Sequence, residues 1–181
     1  MPPSQDLGRF EQAVLPHLDA AYNLARWLTR DGTDAQDVVQ EAVMRAWRFF
    51  AACKGDARPW LLRIVRNTAW TWLAKQRGGV VVPFAALGQE EERALLETVP
   101  TQDDDPEAVL RGVEERRLMD ALIERLPPAF RECLVLRELE ELSYREIAEV
   151  VEAPIGTVMS RLARARALLQ AMAAEEAAHA L

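Results

Sequence analysis

Histidine and cysteine are nearly missing from this chain of 181 residues: His17 and His179 lie near opposite ends, and Cys53 and Cys133 are far apart. Without a Cys-x-x-Cys or Cys/His spacing, a zinc site and a disulfide framework are not expected. No nucleophile–base set and no glycine-rich phosphate loop accompany them, so an enzyme is the least supported class and no cofactor or metal is implied. Long apolar runs are also absent. None approaches the roughly 18 residues that a membrane span needs, and Met1-Pro-Pro-Ser-Gln-Asp6 has neither a basic start nor an apolar core. The expectation is a cytoplasmic chain with no membrane insertion. An excess of positive charge is lacking as well, since the formal net charge is −7.

Charge distribution changes that picture. Residues 1–83 hold 11 Lys+Arg against 8 Asp+Glu, residues 84–116 hold 3 against 10, and residues 117–181 hold 8 against 11. A weakly basic first part is therefore followed by an acidic connector and a mildly acidic second part. The basic part culminates in Arg58–Arg77, where five cations and three tryptophans occur with no carboxylate. At about 100° per residue, Leu61, Ile64, Val65, Thr68 and Trp72 fall on one apolar face of a helix. Arg63, Arg66, Asn67, Trp70 and Arg77 fall on the other. Guanidinium groups neutralise phosphates, and an exposed indole stacks on an unpaired base at roughly 1–3 kcal/mol. A solvated helix face is the competing reading of the same residues.

Along the chain, Phe10, Val14, Leu18, Tyr22, Ala25 and Leu28 recur at helical spacing, with Pro16 in a first turn. Asp31-Gly32 ends that helix, and Thr33-Asp-Ala-Gln36 reads as a capping box opening the next. There Ala35, Val38, Ala42, Ala46 and Phe50 face inward, leaving Asp37, Gln40, Glu41, Met44 and Arg45 outside. Phe49–Asp56 breaks the pattern beside the basic helix, with Gly55 as a turn residue. Gly78-Gly79 stops that helix, Val80–Pro83 is a short extended piece, and the acidic, proline-bearing residues 84–107 have the composition of a flexible tether. Three segments result: 1–83, 84–107 and 108–181.

The second part begins with Leu118, Ala121, Leu122 and Leu126 on one helix, ended by Pro127-Pro128, followed by a short helix from Phe130 to about Glu138. Ser143-Tyr-Arg-Glu146 is a second capping box, opening a helix with Ile147, Val150 and Val151 inward. Glu152-Ala-Pro154 turns the chain into a last helix running to about Ala174. Two short helices joined by a tight turn form a helix-turn-helix pattern. The last helix has a buried stripe of Ile155, Val158, Leu162, Ala165 and Leu169. Its outward arc is Gly156, Ser160, Ala163 and Ala167, flanked by Thr157, Met159, Arg161 and Arg164. Small residues on the crest admit a helix to the major groove, and the arginines reach phosphates or guanine edges. An ordinary helical bundle also contains such corners. The fold class expected is all-α: two small helical domains joined by an acidic flexible linker, the second containing the helix-turn-helix.

Four blocks then carry a family resemblance: Asp34-Ala-Gln-Asp-Val-Val-Gln-Glu-Ala-Val-Met-Arg-Ala-Trp47, Arg58-Pro-Trp-Leu-Leu-Arg-Ile-Val-Arg-Asn-Thr68, Leu126-Pro-Pro-Ala-Phe-Arg131, and Leu142-Ser-Tyr-Arg-Glu-Ile-Ala148 with Gly156-Thr-Val-Met-Ser-Arg161. In order and spacing they resemble the extracytoplasmic-function (group 4) sigma factors of bacterial RNA polymerase. The resemblance implies a region 2 domain over 1–83 whose Asp37, Gln40, Glu41, Met44 and Arg45 dock on the polymerase clamp helices. It implies minus-ten element binding by Phe49, Lys54, Asp56, Arg63, Arg66, Asn67, Trp70 and Arg77. It implies a region 4 domain over 108–181 that reads the minus-thirty-five element through Gly156, Thr157, Met159, Ser160, Arg161 and Arg164 while packing on the polymerase flap. Partners implied are core RNA polymerase, promoter DNA and an anti-sigma factor. Many relatives carry a lysine or arginine where Met159 stands, and the basic run closing region 2 is thin. Cys53 sits in the implied reading loop, as a redox-active or simply packed thiol. Two other classes stay open: a stand-alone helix-turn-helix regulator, and a sigma-like decoy that binds a regulatory protein.

Overall fold

A computed structural model describes residues 4–76 and 113–179. Arg77, Gly78-Gly79, Val80–Pro83 and the acidic segment 84–107 lie outside the described residues, as do the segment boundaries drawn there. Every regular element among the described residues is helical.

The first group comprises α1 (Ser4–Val14), α2 (Leu18–Thr29), α3 (Gly32–Phe49) and α4 (Ala57–Gln76). The apolar repeat from Phe10 to Leu28 is divided by a 3-10 turn over Leu15–His17, with Pro16 in the first-turn position expected of it. Pro16 explains the division: it has no amide proton to donate and begins a helix more readily than it continues one. Arg30, at φ 64°, takes the left-handed position that closes α2. The next helix is capped two residues before the expected Thr33. Asp31 is the cap, its carboxylate accepting from Thr33 N and Asp34 N at 2.8 and 2.9 Å. Those two backbone bonds favour the ionised form and hold the Asp31 carboxyl below its usual range. Helix α4 packs on α1, α2 and α3. Its Leu61, Leu62, Val65 and Ala69 share one core with Leu24, Ala25 and Leu28 of α2 and the small-residue line Ala35, Val38, Ala42 and Ala46 of α3.

The second group comprises α5 (Val113–Arg125), α6 (Pro128–Leu134), α7 (Tyr144–Val151) and α8 (Ile155–His179). Leu122 and Leu126 are buried as expected, but Leu118 and Ala121 are exposed. Between α6 and α7 the chain widens into a π-helical stretch, Val135–Leu139, in which Glu140 N donates to Val135 O at 3.1 Å. The Ser143–Glu146 capping box is formed. Ile147, Val150 and Val151 then meet Val158, Leu162 and Ala165 of α8 across a turn in which Glu152 has φ 53°. Ile155 departs from its expected inward position at 43% exposure, because it is the first residue of α8, a full turn before the buried Val158.

The two groups pack on each other, α4 against α7 and α2 against α6.

Candidate nucleic-acid interface

Aromatic packing fixes the loop between α3 and α4. Phe50 sits edge-on to Phe10 at 5.2 Å between ring centroids and 6.3 Å from Trp60, while Phe10 meets Trp47 at 5.0 Å. Anchoring Phe50 inward turns its neighbour outward, and Phe49 is 63% exposed. Gly55 has φ 84°, a left-handed value that an L side chain adopts at a cost, so the loop reverses there. Asp56 Oδ1 then accepts from Arg58 N at 2.9 Å and opens α4. Lys54 and Asp56 are exposed. Together with Trp60 and Arg63 they line a cleft of about 450 Å³ whose far wall is Glu146 and Glu149 of α7.

Further along α4 the wheel reading needs correction. Thr68 is buried as expected, but Arg66 and Trp70 are buried too, so that part of the face expected to turn outward is covered by the second helical group. Arg66 Nε and Nη2 each donate to one oxygen of Glu132 at 2.9 Å, and Trp70 Nε1 donates to Glu132 Oε2 at 3.1 Å. Arg161 of α8, expected on the outward flank, points its Nη1 to within 3.8 Å of Glu132 Oε1. Residues assigned to two different DNA elements therefore converge on one buried carboxylate. Burial pulls the Arg66 guanidinium below its usual range, and the charge of Glu132 opposes that shift. Asn67 is half-buried beside it, 3.4 Å from Arg66 Nη1 through its Oδ1.

Other ties cross the same boundary. Arg58 donates to Glu140 Oε2 at 3.1 Å and to its carbonyl at 2.8 Å, and Asn23 donates to Glu140 Oε1 at 3.2 Å. Arg131 is 96% buried and satisfies carbonyls of Ile123, Glu124 and Leu126 while reaching Trp27 O at 3.2 Å. Arg30 donates to Glu124 O. Glu132, Glu140 and Arg131 were not singled out as site residues by the sequence reading. The signal for Arg131 and Glu132 was two charges inside the otherwise apolar run from Ala129 to Leu136, an arrangement that seldom persists without buried partners.

The α3 face is left open. Asp37, Gln40 and Met44 are exposed, and Arg45 pairs with Glu41 at 2.8 Å one turn away. On α8, Gly156 and Met159 are exposed, with open space where a Cβ would stand at Gly156, while Thr157, Ser160 and Arg164 are half-buried. The last helix extends past the expected Ala174 to His179.

The sigma-70 region 2 model matches residues 13–78, and the sigma-70 region 4 model matches residues 116–169. The sigma-E factor of Haemophilus influenzae is 36% identical over 149 residues, covering 81% of this chain and 77% of the relative. The chain belongs to the extracytoplasmic-function sigma factors. The Escherichia coli K12 sigma-E factor is 39% identical over 139 residues, covering 74% and 70% of the two chains. Among solved structures, the sigma factor RpoE of Bartonella quintana in complex with the anti-sigma factor NepR aligns with TM-score 0.62 over 90% of this chain and 94% of that one, at 22% identity. CnrH in complex with the cytosolic domain of CnrY aligns with TM-score 0.62 at 25% identity, over 92% and 88%. A sigma factor is a transcription initiation factor that recognises promoters, and this one is not an enzyme. None of its described helices is long and apolar enough to cross a membrane.

The two thiols of this sigma factor differ in reactivity. Burial, then neighbouring Glu132, pushes Cys133 up to about 12, while burial and then Asp56 raise Cys53. Because the thiolate is the nucleophile, iodoacetamide at pH 8 is expected to alkylate Cys53 several-fold more slowly than glutathione and Cys133 not at all in the folded chain. Mass spectrometry of timed samples checks this, and a Cys53 faster than glutathione would restore the redox-active reading.

Proposed function

We propose that this sigma factor docks on the clamp helices of core RNA polymerase through Asp37, Gln40, Glu41, Met44 and Arg45, and reads the two promoter elements through α4 and α8. The supporting observation is the grouping on α4 of Arg63, Arg66, Asn67 and Trp70 beside an aromatic-anchored loop presenting Phe49, Lys54 and Asp56. With Arg66 and Trp70 released from Glu132, such a set binds an unpaired strand better than a duplex, since it then offers cations to phosphates and a ring to an extruded base. Preferential binding of the melted form shifts the duplex–open equilibrium with no chemical step. Gly156, Thr157, Met159, Ser160, Arg161 and Arg164 take the major groove of the minus-thirty-five element. The protein acts in the cytoplasm, where its polymerase is. An anti-sigma factor is a further partner, by analogy with the two structural relatives that are each held by one.

Run-off transcription with purified core polymerase on promoter-bearing DNA from the source genome tests this reading. Discrete transcripts that depend on the protein, and fall at least tenfold with Trp70→Ala/Asn67→Ala, are expected. Stable core binding with no transcripts would favour a decoy, and specific duplex binding without core would favour a stand-alone regulator.

A further inference from the structure

The exposed crest of α8 is not centred where the sequence pattern put it. Ile155 and Met159 are 43% and 52% exposed one turn apart, with exposed Gly156 and Ala163 beside them. Thr157, Ser160 and Arg164 are half-buried at the edges. At about 100° per residue, Ile155, Gly156, Met159 and Ala163 fall within one arc of about 100°. None of these side chains carries a hydrogen-bond donor or a strong acceptor. From Pro154 to Ala174 the sequence nevertheless has three arginines and no carboxylate. Open space surrounds the place of a Cβ at Gly156, so the backbone of the first turn can approach a surface closely. A cationic helix with a smooth apolar crest fits a polyanion that has an apolar feature on its edge. In the major groove that feature is the C5-methyl group of thymine, whereas guanine, adenine and cytosine offer polar atoms that this crest would desolvate without replacing their hydrogen bonds.

We propose that Met159, with Ile155 on the preceding turn, selects thymine in the minus-thirty-five element by packing against its C5-methyl group. The proposal rests on the assignment of α8 to the major groove of that element, and it adds the base that the crest selects. Ile155 and Met159 are about 6 Å apart along the helix, and base pairs are stacked about 3.4 Å apart, so the two side chains cover neighbouring pairs. An unbranched, polarizable methionine adapts its rotamers to the place of a methyl group. The arginines hold phosphates and set the register, and the methyl contact supplies the sequence preference.

Holoenzyme assembled from core RNA polymerase and the full chain first selects bound duplexes from a promoter of the source genome whose minus-thirty-five region is randomised. Thymine is expected to be enriched at one or more neighbouring positions, and Met159→Ala to lower that enrichment while leaving the other positions unchanged. Each enriched thymine is then replaced by deoxyuridine, which removes the methyl group and keeps every hydrogen-bonding group. Binding by the unaltered holoenzyme is expected to fall about fourfold at the position read, a change of about 0.8 kcal/mol, as for one buried methylene. Binding by the Met159→Ala holoenzyme is expected not to respond to the same replacement. No loss with deoxyuridine at any enriched thymine, or an equal loss in Met159→Ala, overturns the proposal. Weakened core binding by Met159→Ala, with its deoxyuridine response intact, overturns it in favour of a crest that docks on protein. The selection separates the two layers. A minus-thirty-five preference without a methyl response leaves the proposed function standing and removes the thymine contact alone, whereas transcription with no preference in that region removes the assignment of α8 and the contact with it.

Discussion

Arg66→Ala is expected to split one thermal unfolding transition into two. In the folded chain the substitution strands Glu132, whose side chain is fully buried and whose oxygens lose two hydrogen bonds of 2.9 Å. Removing one member of a buried pair costs about 3–5 kcal/mol, and the Trp70 indole at 3.1 Å and Arg161 at 3.8 Å stay beside the carboxylate and offset only part of that loss. Here the chain has an escape: separation of region 4 from α4 returns Glu132 to water. The cost is therefore capped by the free energy of separating the two groups, and separation is the predicted outcome rather than global unfolding. Calorimetry reads this directly, as one cooperative peak for the unaltered chain and two smaller ones for Arg66→Ala. A single peak shifted down by several degrees would mean that the groups stay joined and Glu132 finds another donor.

Phe130→Ala carries the second large effect. Phe130 is 1% exposed on α6 and belongs to the same buried cluster as Leu126, Leu136, Ile147 and Leu162. Truncating a buried phenylalanine costs about 3–5 kcal/mol through lost burial and the cavity left behind. A domain of this size has about 3–10 kcal/mol of stability in total, so region 4 is expected to be largely unfolded at 37 °C. Far-ultraviolet circular dichroism should fall by the share of helix in α5 to α8. Transcription that depends on the minus-thirty-five element should vanish. Helices α1 to α4 keep their own core, so binding to a clamp-helix fragment of polymerase should persist. Loss of that binding as well would show that region 2 does not stand without region 4.

The helices themselves were readable because each buries a line of residues at helical spacing, as with Ala35, Val38, Ala42 and Ala46. The Ser143–Glu146 box was readable because its two bonds are local. The Thr33 box was misplaced by a neighbour with a better acceptor, the carboxylate of Asp31. The face of α4 was misread for a different reason. A wheel separates apolar from polar positions within one helix, yet Arg66 and Trp70 are buried by a partner 62 to 66 residues away in the chain. On α4 alone, an arginine facing solvent and an arginine facing a buried glutamate have the same signature. The informative residue was Glu132 on the other side, a carboxylate enclosed by Phe130, Cys133 and Leu134 in sequence.

The π-helical stretch Val135–Leu139 bears on how such a contact is timed around a helix axis. Glu132 and Glu140 are eight residues apart, and both reach arginines of α4 that are themselves eight residues apart, Arg58 and Arg66. In a regular α-helix, a spacing of eight leaves two side chains about 80° out of phase. One extra residue in a wide turn lets eight positions behave as seven, which brings them within about 20°. Arg58 and Arg66 keep the roughly 80° offset of a regular helix on their side, and their long side chains take up the difference. The pairing of the two groups thus joins two carboxylates brought near phase by the wide turn to two arginines that reach them from different bearings.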